Sequence, residues 1–198
     1  MTASLHPGDP LDIFERVFRE ATAREPFEPH AMVLSTVKDG RPRSRVVLLK
    51  GVDARGFVFH TNYESDKGRE IDAAPFVALN FHFPKGEQQV RIEGPIEKLS
   101  NEESDAYFAT RPRLSRIGAW ASDQSRPLES REAFDARVAE IERRFSGVEV
   151  PRPLHWGGYL VRPLRIEFWY GQQNRLHDRF AYERSAVDAP WSMTRLFP

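Results

Sequence analysis

The sequence contains no cysteine, and this absence excludes several kinds of site at once. Without thiols there is no disulfide framework, thiolate nucleophile, zinc ribbon or cysteine-bound iron–sulfur cluster. No apolar run approaches the roughly 20 residues of a membrane-spanning helix. The first ten residues also lack the basic and apolar regions of a signal peptide. We therefore expect a cytoplasmic protein with no membrane partner.

Charge of one sign is not in excess either, because Lys plus Arg and Asp plus Glu both number 29. No long-range field therefore favours nucleic acid, and any anion site must be built from local cations. The six histidines show no paired metal-ligand spacing. The chain also lacks a G-x-S-x-G elbow, a Walker loop and a G-x-G-x-x-G motif after a strand. We expect neither a metal site nor a nucleic-acid partner.

What is present predicts a single domain over residues 1–198, with a loose arm at residues 1–9. After Asp9-Pro10, apolar residues recur at the spacing of an amphipathic helix: Leu11, Phe14, Val17, Phe18 and Ala21. Two β-type runs, 32–37 and 41–50, flank Asp39-Gly40 and predict a hairpin. Further strands are expected at about 56–61, 76–83 and 88–98, with three or four more near the C-terminus.

Helices are expected at 65–73, from the capping box of Ser100 and Glu103 to about Thr110, and around Phe134 to Phe145. The strands are linked mainly by hairpins, and the helices are inserted between them without βαβ alternation. This order indicates a mainly β protein with inserted helices (α+β), built on an antiparallel sheet or barrel.

Four segments combine cations with hydroxyl groups or an imidazole, and the first is the strand from Arg43 to Lys50. Residues 46–49 are apolar on both faces, which predicts a buried strand with Arg45 and Lys50 at the rim of the core. Pairing with Asp or Glu, or solvation, is the alternative to an anionic ligand. Positions 45 and 50 face opposite sides of a regular strand, so one shared ligand needs an irregular strand end.

The second and third segments each contain a possible phosphate site. Ser65 and Lys67 lie at a predicted helix start, where free N–H groups favour an anion, although a Ser cap with a solvated lysine is the alternative. Tyr107 and Arg111 share one helix face, and Ser115 follows the break at Pro112. Together they suit a phosphomonoester, or form a surface helix end with Tyr packed on Arg.

The fourth segment runs from Arg175 to Arg179. On a regular strand, Arg175, His177 and Arg179 would share one face beside the aromatic run 168–170. Salt bridges from these groups to acidic residues are one interpretation: Asp178, Glu167 and Glu183. The concentration of cationic groups favours an anionic or electron-rich ligand instead.

Six collinear segments resemble the pyridoxine/pyridoxamine 5′-phosphate oxidase family. In chain order they are R-V-V-L-L-K, T-N-x-x-S-x-K, Q-V-R-I-E-G, Y-F-x-x-R-P-R-x-S, I-G-A-W-x-S-x-Q-S, and I-E-F-W followed by R-L-H-D-R. The similarity extends from about residue 10 to the terminal residues 195–198. It implies a split β-barrel homodimer with FMN bound at the subunit interface.

The resemblance also implies a reaction and a set of site residues. Pyridoxamine 5′-phosphate and/or pyridoxine 5′-phosphate would lose hydride from C4′ to flavin N5, giving pyridoxal 5′-phosphate, while O2 becomes H2O2. The residues implied to contact FMN are Arg45, Val46, Val47, Leu48, Leu49, Lys50, His60, Thr61, Ser65, Lys67, Gln89, Gln124, Ser125, Trp169 and Arg179. The residues implied to bind substrate are Lys50, Tyr107, Arg111 and Ser115, with Arg175 and His177 of the other subunit as candidate catalytic residues over the pyridine ring.

Three positions depart from the family pattern. Asp66 and Gln88 stand where a cation is usual, and His60 stands where an aromatic residue is usual. Two alternatives stay open: an FMN- or vitamin-B6-binding protein without turnover, and a related FMN oxidase of another small molecule, such as the phenazine-pathway branch. The phosphate-binding set around Arg111 argues against the second, because a substrate without phosphate has no use for it.

Overall fold

The computed structural model describes residues 8–198, so most of the predicted N-terminal arm lies outside the described residues. The α-helices in this range are α1 (Pro10–Arg24), α2 (Asp66–Ala73), α3 (Asn101–Thr110), α4 (Arg113–Ala121) and α5 (Arg131–Arg144). The strands are β1 (Ala31–Lys38), β2 (Arg41–Leu48), β3 (Gly51–Asp53), β4 (Gly56–Asn62), β5 (Phe76–Phe83), β6 (Gln88–Lys98), β7 (Trp156–Val161), β8 (Arg165–Tyr170), β9 (Asp178–Glu183) and β10 (Ser192–Leu196). Within residues 8–198, no helix is both long and apolar enough to span a bilayer.

Helix α1 begins where the sequence predicts it, and it covers the core. The carboxylate of Asp9 accepts a hydrogen bond of 2.8 Å from the Leu11 N–H, which caps the first turn. On the buried face, Phe14 packs against Phe57 and Phe81 with ring centroids 4.8 and 5.1 Å away. Burial of this apolar face stabilises the helix against the sheet.

The main sheet has the strand order β10-β9-β8-β6-β5-β1-β2, and its neighbouring strands are antiparallel. Its β1–β2 hairpin turns at Asp39 and Gly40, whose φ angles of 51° and 72° are the left-handed values that a two-residue hairpin turn requires. The predicted hairpin at this dipeptide is confirmed.

Strand β6 is where the barrel splits. Its first part pairs with β8, whereas residues 96–98 pair with β7, which continues into β4 and β3. Gly94 lies between the two parts, and a Cβ there would stand 2.1 Å from the carbonyl oxygen of Arg162. Glycine therefore permits the close crossing at which the second sheet diverges. The result is an antiparallel split barrel with inserted helices, as predicted.

Two features of the fold differ from the predictions. Strand β2 is not buried: it is the last strand of the main sheet, and Val46 and Leu48 are 63% and 37% exposed. The prediction was wrong because apolar residues on a strand do not require that residues of the same chain bury them. Helix α4 was also missed, since Pro112 ends α3 but serves as the N-cap residue of the next helix.

Candidate functional site

A cavity of about 1160 Å³ opens between β2, β4, α2 and the corner that joins α3 to α4. The structure brings together in its walls most of the residues that the resemblance assigned to FMN and substrate. These are Arg45, Val46, Val47, Leu48, Lys50, His60, Thr61, Lys67, Tyr107, Arg111, Ser115, Gln124 and Ser125.

Lys67 is a buried ammonium in this cavity. Its Nζ donates to Oγ1 of Thr61 at 3.2 Å, to Oγ of Ser65 at 3.2 Å and to Oε1 of Gln124 at 3.3 Å. Within residues 8–198 it has no carboxylate in salt-bridge contact. Burial, and then the neighbouring Arg45, lower its pKa. A buried cation bonded to neutral oxygens favours an anionic ligand.

Arg45 differs from Lys67, because it has a carboxylate partner. Its guanidinium lies 2.6 Å from Oε2 of Glu70 and donates to the hydroxyl of Thr36, which in turn donates to Glu70. The alternative that Arg45 pairs with an acidic residue is therefore confirmed. Glu70 is buried on α2, one turn after Lys67. The same short helix therefore carries the cation Lys67 and binds the cation Arg45 through Glu70.

Three neighbouring residues show how the chain forms this wall. Strand β2 ends at Leu48, so Lys50 reaches the cavity from beyond the strand rather than by strand alternation. Leu49 lies in the core at 3% exposure and does not line the cavity. Ser65 is also absent from the lining, because its hydroxyl caps α2 and donates to the Asn62 carbonyl oxygen at 2.7 Å.

The wall at the end of α3 contains a second cation without a carboxylate partner among the described residues. The guanidinium carbon of Arg111 lies 4.4 Å from the ring centre of Trp156, and its Nη1 is buried with no hydrogen-bond partner among the described residues. Burial lowers the pKa of Arg111. A buried guanidinium N–H without an acceptor is costly, and an oxyanion in the cavity would satisfy it.

His60 lines the same cavity beside Arg111. Its ring stacks on Tyr107 at a centroid distance of 3.8 Å and lies 5.4 Å from the ring of Trp156. Neither ring nitrogen of His60 has a hydrogen-bond partner in the described part of the chain. Burial, reinforced by Arg111 and Lys50, lowers the pKa of His60 to about 4, so the ring is neutral at pH 7.

The remaining assigned residues do not line this cavity but form a second group on β6, β8, β9 and the turn that joins β8 to β9. Trp169 is the strand partner of both Gln89 and Arg179, and its ring lies 4.5 Å from that of His177. Arg179 donates to Oε1 of Glu167 at 2.8 Å. We refer to Gln89, Trp169, Arg175, His177 and Arg179 as the β8–β9 group.

The prediction that Arg175, His177 and Arg179 share one strand face is wrong. Strand β9 starts only at Asp178, and residues Gln173–Arg175 form a 3-10 turn. Asn174 and Arg175 have φ angles of 55° and 61°, so alternation is lost before the strand begins. The turn leaves Arg175 exposed and gives His177 a hydrogen bond from the backbone N–H of Gln172.

Three site features were missed from the sequence. Glu70 was missed because its partner, Arg45, lies 25 residues earlier in the chain. Trp156 was also missed, because no local signal in the sequence places it against Arg111. Asp66, half-exposed on the cavity wall, lies 3.5 Å from the guanidinium of Arg126, a contact across 60 residues.

Comparison with known proteins agrees with this fold. The family model described as pyridoxamine 5′-phosphate oxidase matches residues 18–145. The chain belongs to the pyridoxamine 5′-phosphate oxidase family. Residues 156–198 match the model of the pyridoxine 5′-phosphate oxidase C-terminal dimerisation region. This second match contains all of the β8–β9 group except Gln89.

Curated relatives extend this family similarity over nearly the whole chain. The pyridoxine/pyridoxamine 5′-phosphate oxidase of Rubrobacter xylanophilus is 59% identical over 96% of this chain and 87% of its own. The protein of the same name from Burkholderia ambifaria is 55% identical over 96% of this chain and 89% of its own.

Solved structures share the split barrel of the family. PhzG from Burkholderia lata 383, in complex with tetrahydrophenazine-1-carboxylic acid, gives a TM-score of 0.89 at 34% identity, covering 97% of this chain and 94% of that one. A pyridoxamine 5′-phosphate oxidase-related, FMN binding protein from Nostoc punctiforme gives 0.75 at 18% identity, covering 98% of this chain and 99% of that one. At that identity the likeness concerns the fold alone.

Proposed function

We propose that this family member is an FMN-dependent oxidase that converts pyridoxamine 5′-phosphate, pyridoxine 5′-phosphate or both into pyridoxal 5′-phosphate, with O2 as electron acceptor. One observation carries the proposal. Among the described residues, the cavity contains two buried cationic groups without a carboxylate partner, Nζ of Lys67 and Nη1 of Arg111. FMN and the substrate each bring one phosphate, so two anions match two uncompensated cations.

The donors around Lys67 fit FMN. Thr61 and Gln124 already contact the ammonium, and Ser125 follows in a left-handed turn with φ 71°. A phosphate would give Lys67 a charge-assisted hydrogen bond in place of bonds to neutral oxygens. Bound FMN supplies the redox chemistry, taking a hydride from the substrate and passing electrons to O2. The residues of this chain hold and orient the two reactants.

The donors around Arg111 fit the substrate phosphate. Tyr107 and Ser115 contribute hydroxyl groups, and Lys50 contributes an ammonium, to the same cavity. The stack of Tyr107 on His60 fixes the phenol, while Trp156 supports the guanidinium face and leaves its edge free to donate. Held rigidly, these donors would orient the substrate without taking part in the redox step.

We also propose a homodimer in which the β8–β9 group of one protomer completes the cavity of its partner. The exposed apolar residues of the outer sheet face support this, since Val46, Leu48 and Phe76 are 63%, 37% and 51% exposed. An apolar strand of this kind is a ready interface. The match of residues 156–198 to a dimerisation region supports the same arrangement.

A second candidate activity is oxidation of a reduced phenazine, which the similarity to PhzG favours. A third is FMN or vitamin-B6 binding without turnover. A phosphate and a carboxylate are both acceptors for the unpartnered Nη1 of Arg111. This group therefore does not by itself separate a phosphorylated substrate from a phenazine carboxylic acid. The three candidates therefore separate on substrate identity.

The test is to load the purified protein with FMN and measure O2 consumption with pyridoxamine 5′-phosphate, pyridoxine 5′-phosphate, pyridoxamine and tetrahydrophenazine-1-carboxylic acid. We expect turnover with one or both phosphorylated compounds and little with pyridoxamine. Turnover with the phenazine alone would favour the second candidate, and FMN binding without turnover of any compound would favour the third. A protein that does not bind FMN would refute the first two candidates together.

A further inference from the structure

The turn before β9 contains a hydrogen bond that decides which nitrogen of His177 carries the proton. The backbone N–H of Gln172 donates to Nδ1 of His177 at 3.1 Å. A backbone N–H can only donate, so Nδ1 must accept. A neutral imidazole then carries its proton on Nε2, which is presented as a donor. The ring of Trp169, 4.5 Å away and inclined at 41°, restricts rotation of the imidazole.

The turn is held at both of its ends. The side-chain amide of Gln172 donates to Oδ2 of Asp178 at 3.2 Å, and the other oxygen of this buried carboxylate is paired with Arg195. At the start, the N–H of Gly171 donates to the carbonyl oxygen of Glu87 at 2.7 Å. A Cβ on Gly171 would stand 2.8 Å from Cβ of Glu87, so this close approach requires glycine.

Between these anchors the backbone takes up conformations that a free turn would avoid. Asn174 and Arg175 are both left-handed, with φ angles of 55° and 61°. Two consecutive residues of this kind persist only where the surrounding structure determines them. On the β9 side, the contacts of Gln172 with Asp178 and His177 are among those that do so, together with the bond from the Leu176 N–H to the Gln173 carbonyl oxygen.

We propose that Gln172 is a positioning residue, which fixes His177 as a hydrogen-bond donor through Nε2 and prevents it from acting as a general base through that atom. The inference rests on the proposed function, in which the β8–β9 group, including His177, completes the substrate cavity of the partner protomer. For Nε2 to accept a proton from the substrate, the neutral ring would have to carry its own proton on Nδ1. The Nδ1–H and the backbone N–H of Gln172 would then face each other as two donors, which disfavours that tautomer by roughly tenfold or more.

The chemical consequence is that His177 orients the substrate and does not remove a proton from it. Because hydride loss withdraws electrons from the substrate, a hydrogen bond donated from Nε2 to a substrate oxygen or nitrogen acts by holding the reacting carbon in place for the transfer. In this role His177 neither gains nor loses a proton. A general base at the same position would instead need a free lone pair on the nitrogen that faces the substrate.

Two substitutions of His177 distinguish donor from base in the FMN-loaded protein. The amide nitrogen of His177→Gln can donate near the position of Nε2, whereas that of His177→Asn reaches only the position of Nδ1. We expect His177→Gln to retain kcat within about tenfold, whereas loss of a general base would cost roughly 10²- to 10⁴-fold. His177→Asn should lose more than His177→Gln, because it places no donor at the position of Nε2. If His177→Gln loses as much as His177→Asn, the donor role is refuted.

A spectroscopic test does not depend on activity. Nitrogen-15 NMR of the histidine-labelled protein, with the His177 signals assigned by loss in His177→Gln, should show the Nε2–H tautomer. The Nδ1–H tautomer would overturn the inference even if the enzyme proved active. The Nε2–H tautomer in an inactive protein would support the geometry and count against the proposed function, so the two failures remain distinct.

The contribution of the Gln172 side chain is tested by Gln172→Ala, which keeps the backbone N–H that faces His177 but removes the amide bond to Asp178 that holds it in place. Gln173→Ala is the exposed control in the same turn. We expect Gln172→Ala to broaden or shift the His177 nitrogen signals and to lower kcat several-fold in the FMN-loaded protein, while Gln173→Ala changes neither. Identical His177 signals and kcat in the two variants would remove Gln172 from this role.

Discussion

Nζ of Lys67 lies 3.3 Å from Oε1 of Gln124, although 57 residues separate them in the chain. This contact joins the first turn of α2 to the segment that follows α4. The other partners of the ammonium are also neutral oxygens, so within residues 8–198 no salt-bridged carboxylate offsets the charge of Lys67. The proposed FMN site depends on this relationship.

Replacing Lys67 should therefore weaken the cofactor site without weakening the fold. In Lys67→Met we expect the Kd for FMN to rise by about tenfold or more, the value of one charge-assisted hydrogen bond. The melting temperature of the FMN-free protein should stay the same or rise, because a buried cation without a carboxylate partner is removed. Flavin fluorescence titration and thermal denaturation measure the two effects. Arg69→Gln, an exposed change on the same helix, is the control, and equal FMN affinity in both variants would contradict the assignment.

Arg111 should determine affinity for the phosphate group alone. In Arg111→Met we expect KM for pyridoxamine 5′-phosphate to rise by about ten- to a hundredfold. The much lower kcat/KM expected for unphosphorylated pyridoxamine should stay near its wild-type value, because that compound offers no phosphate to the guanidinium. Steady-state O2 consumption checks both values. An equal loss of kcat/KM for both substrates would show that Arg111 does not bind the phosphate.

His60 should make the folded state sensitive to acid. Its pKa falls from 6.5 to about 4 on folding, so between these pH values the unfolded chain binds a proton that the folded chain does not. The free energy of unfolding should therefore fall as the pH drops through this window. His60→Phe keeps an aromatic ring in the stack and should flatten this dependence in urea denaturation series. The same slope as in the wild type, or flattening in a control His82→Gln at an exposed position, would contradict this explanation.

Val46 should be required for association of two protomers. A glutamate at this exposed position on β2 places a charge on the outer face, so Val46→Glu should shift the protein towards monomer in light scattering. Val148→Glu is the matched control, since Val148 is 58% exposed after α5 and away from that sheet. If both variants keep the same mass as the wild type, the outer face of β2 is not the interface.

A site completed by two protomers should also pass a complementation test. A heterodimer of Arg111→Met and Arg175→Ala protomers contains one site with both changes and one site with neither. We expect activity to return to about half of the wild-type value, although each homodimer is impaired. Purification with two affinity tags isolates the heterodimer. No recovery of activity would indicate that both residues serve the same protomer's site.

Local chemistry in the sequence predicted local structure well. Asp39-Gly40 specified the hairpin turn, and Ser100 with Glu103 formed the capping box that opens α3. In each case the residues that decide the geometry are neighbours in the chain, so the signal is complete in the sequence. The match of these signals to the structure is why the antiparallel barrel with inserted helices could be predicted.

The errors concern features that depend on distant partners. An apolar strand such as β2 looks the same whether its own chain or another protomer covers it, so the exposure of Val46 was not predictable from periodicity. The alternation assumed for Arg175 and His177 failed because Asn174 begins a left-handed turn, a conformation that Asn adopts more readily than most residues. The pair of Arg45 and Glu70 required the packing of α2 on the sheet, which the sequence does not state.

The central claim is that FMN in this cavity is reduced by a vitamin-B6 5′-phosphate. The most direct measurement is the visible spectrum of the FMN-loaded protein under anaerobic conditions, before and after one equivalent of pyridoxamine 5′-phosphate. We predict that the flavin absorption bleaches, that O2 restores it, and that pyridoxal 5′-phosphate is found in the product. A flavin that stays fully oxidised in the presence of saturating pyridoxamine 5′-phosphate and pyridoxine 5′-phosphate would contradict the claim.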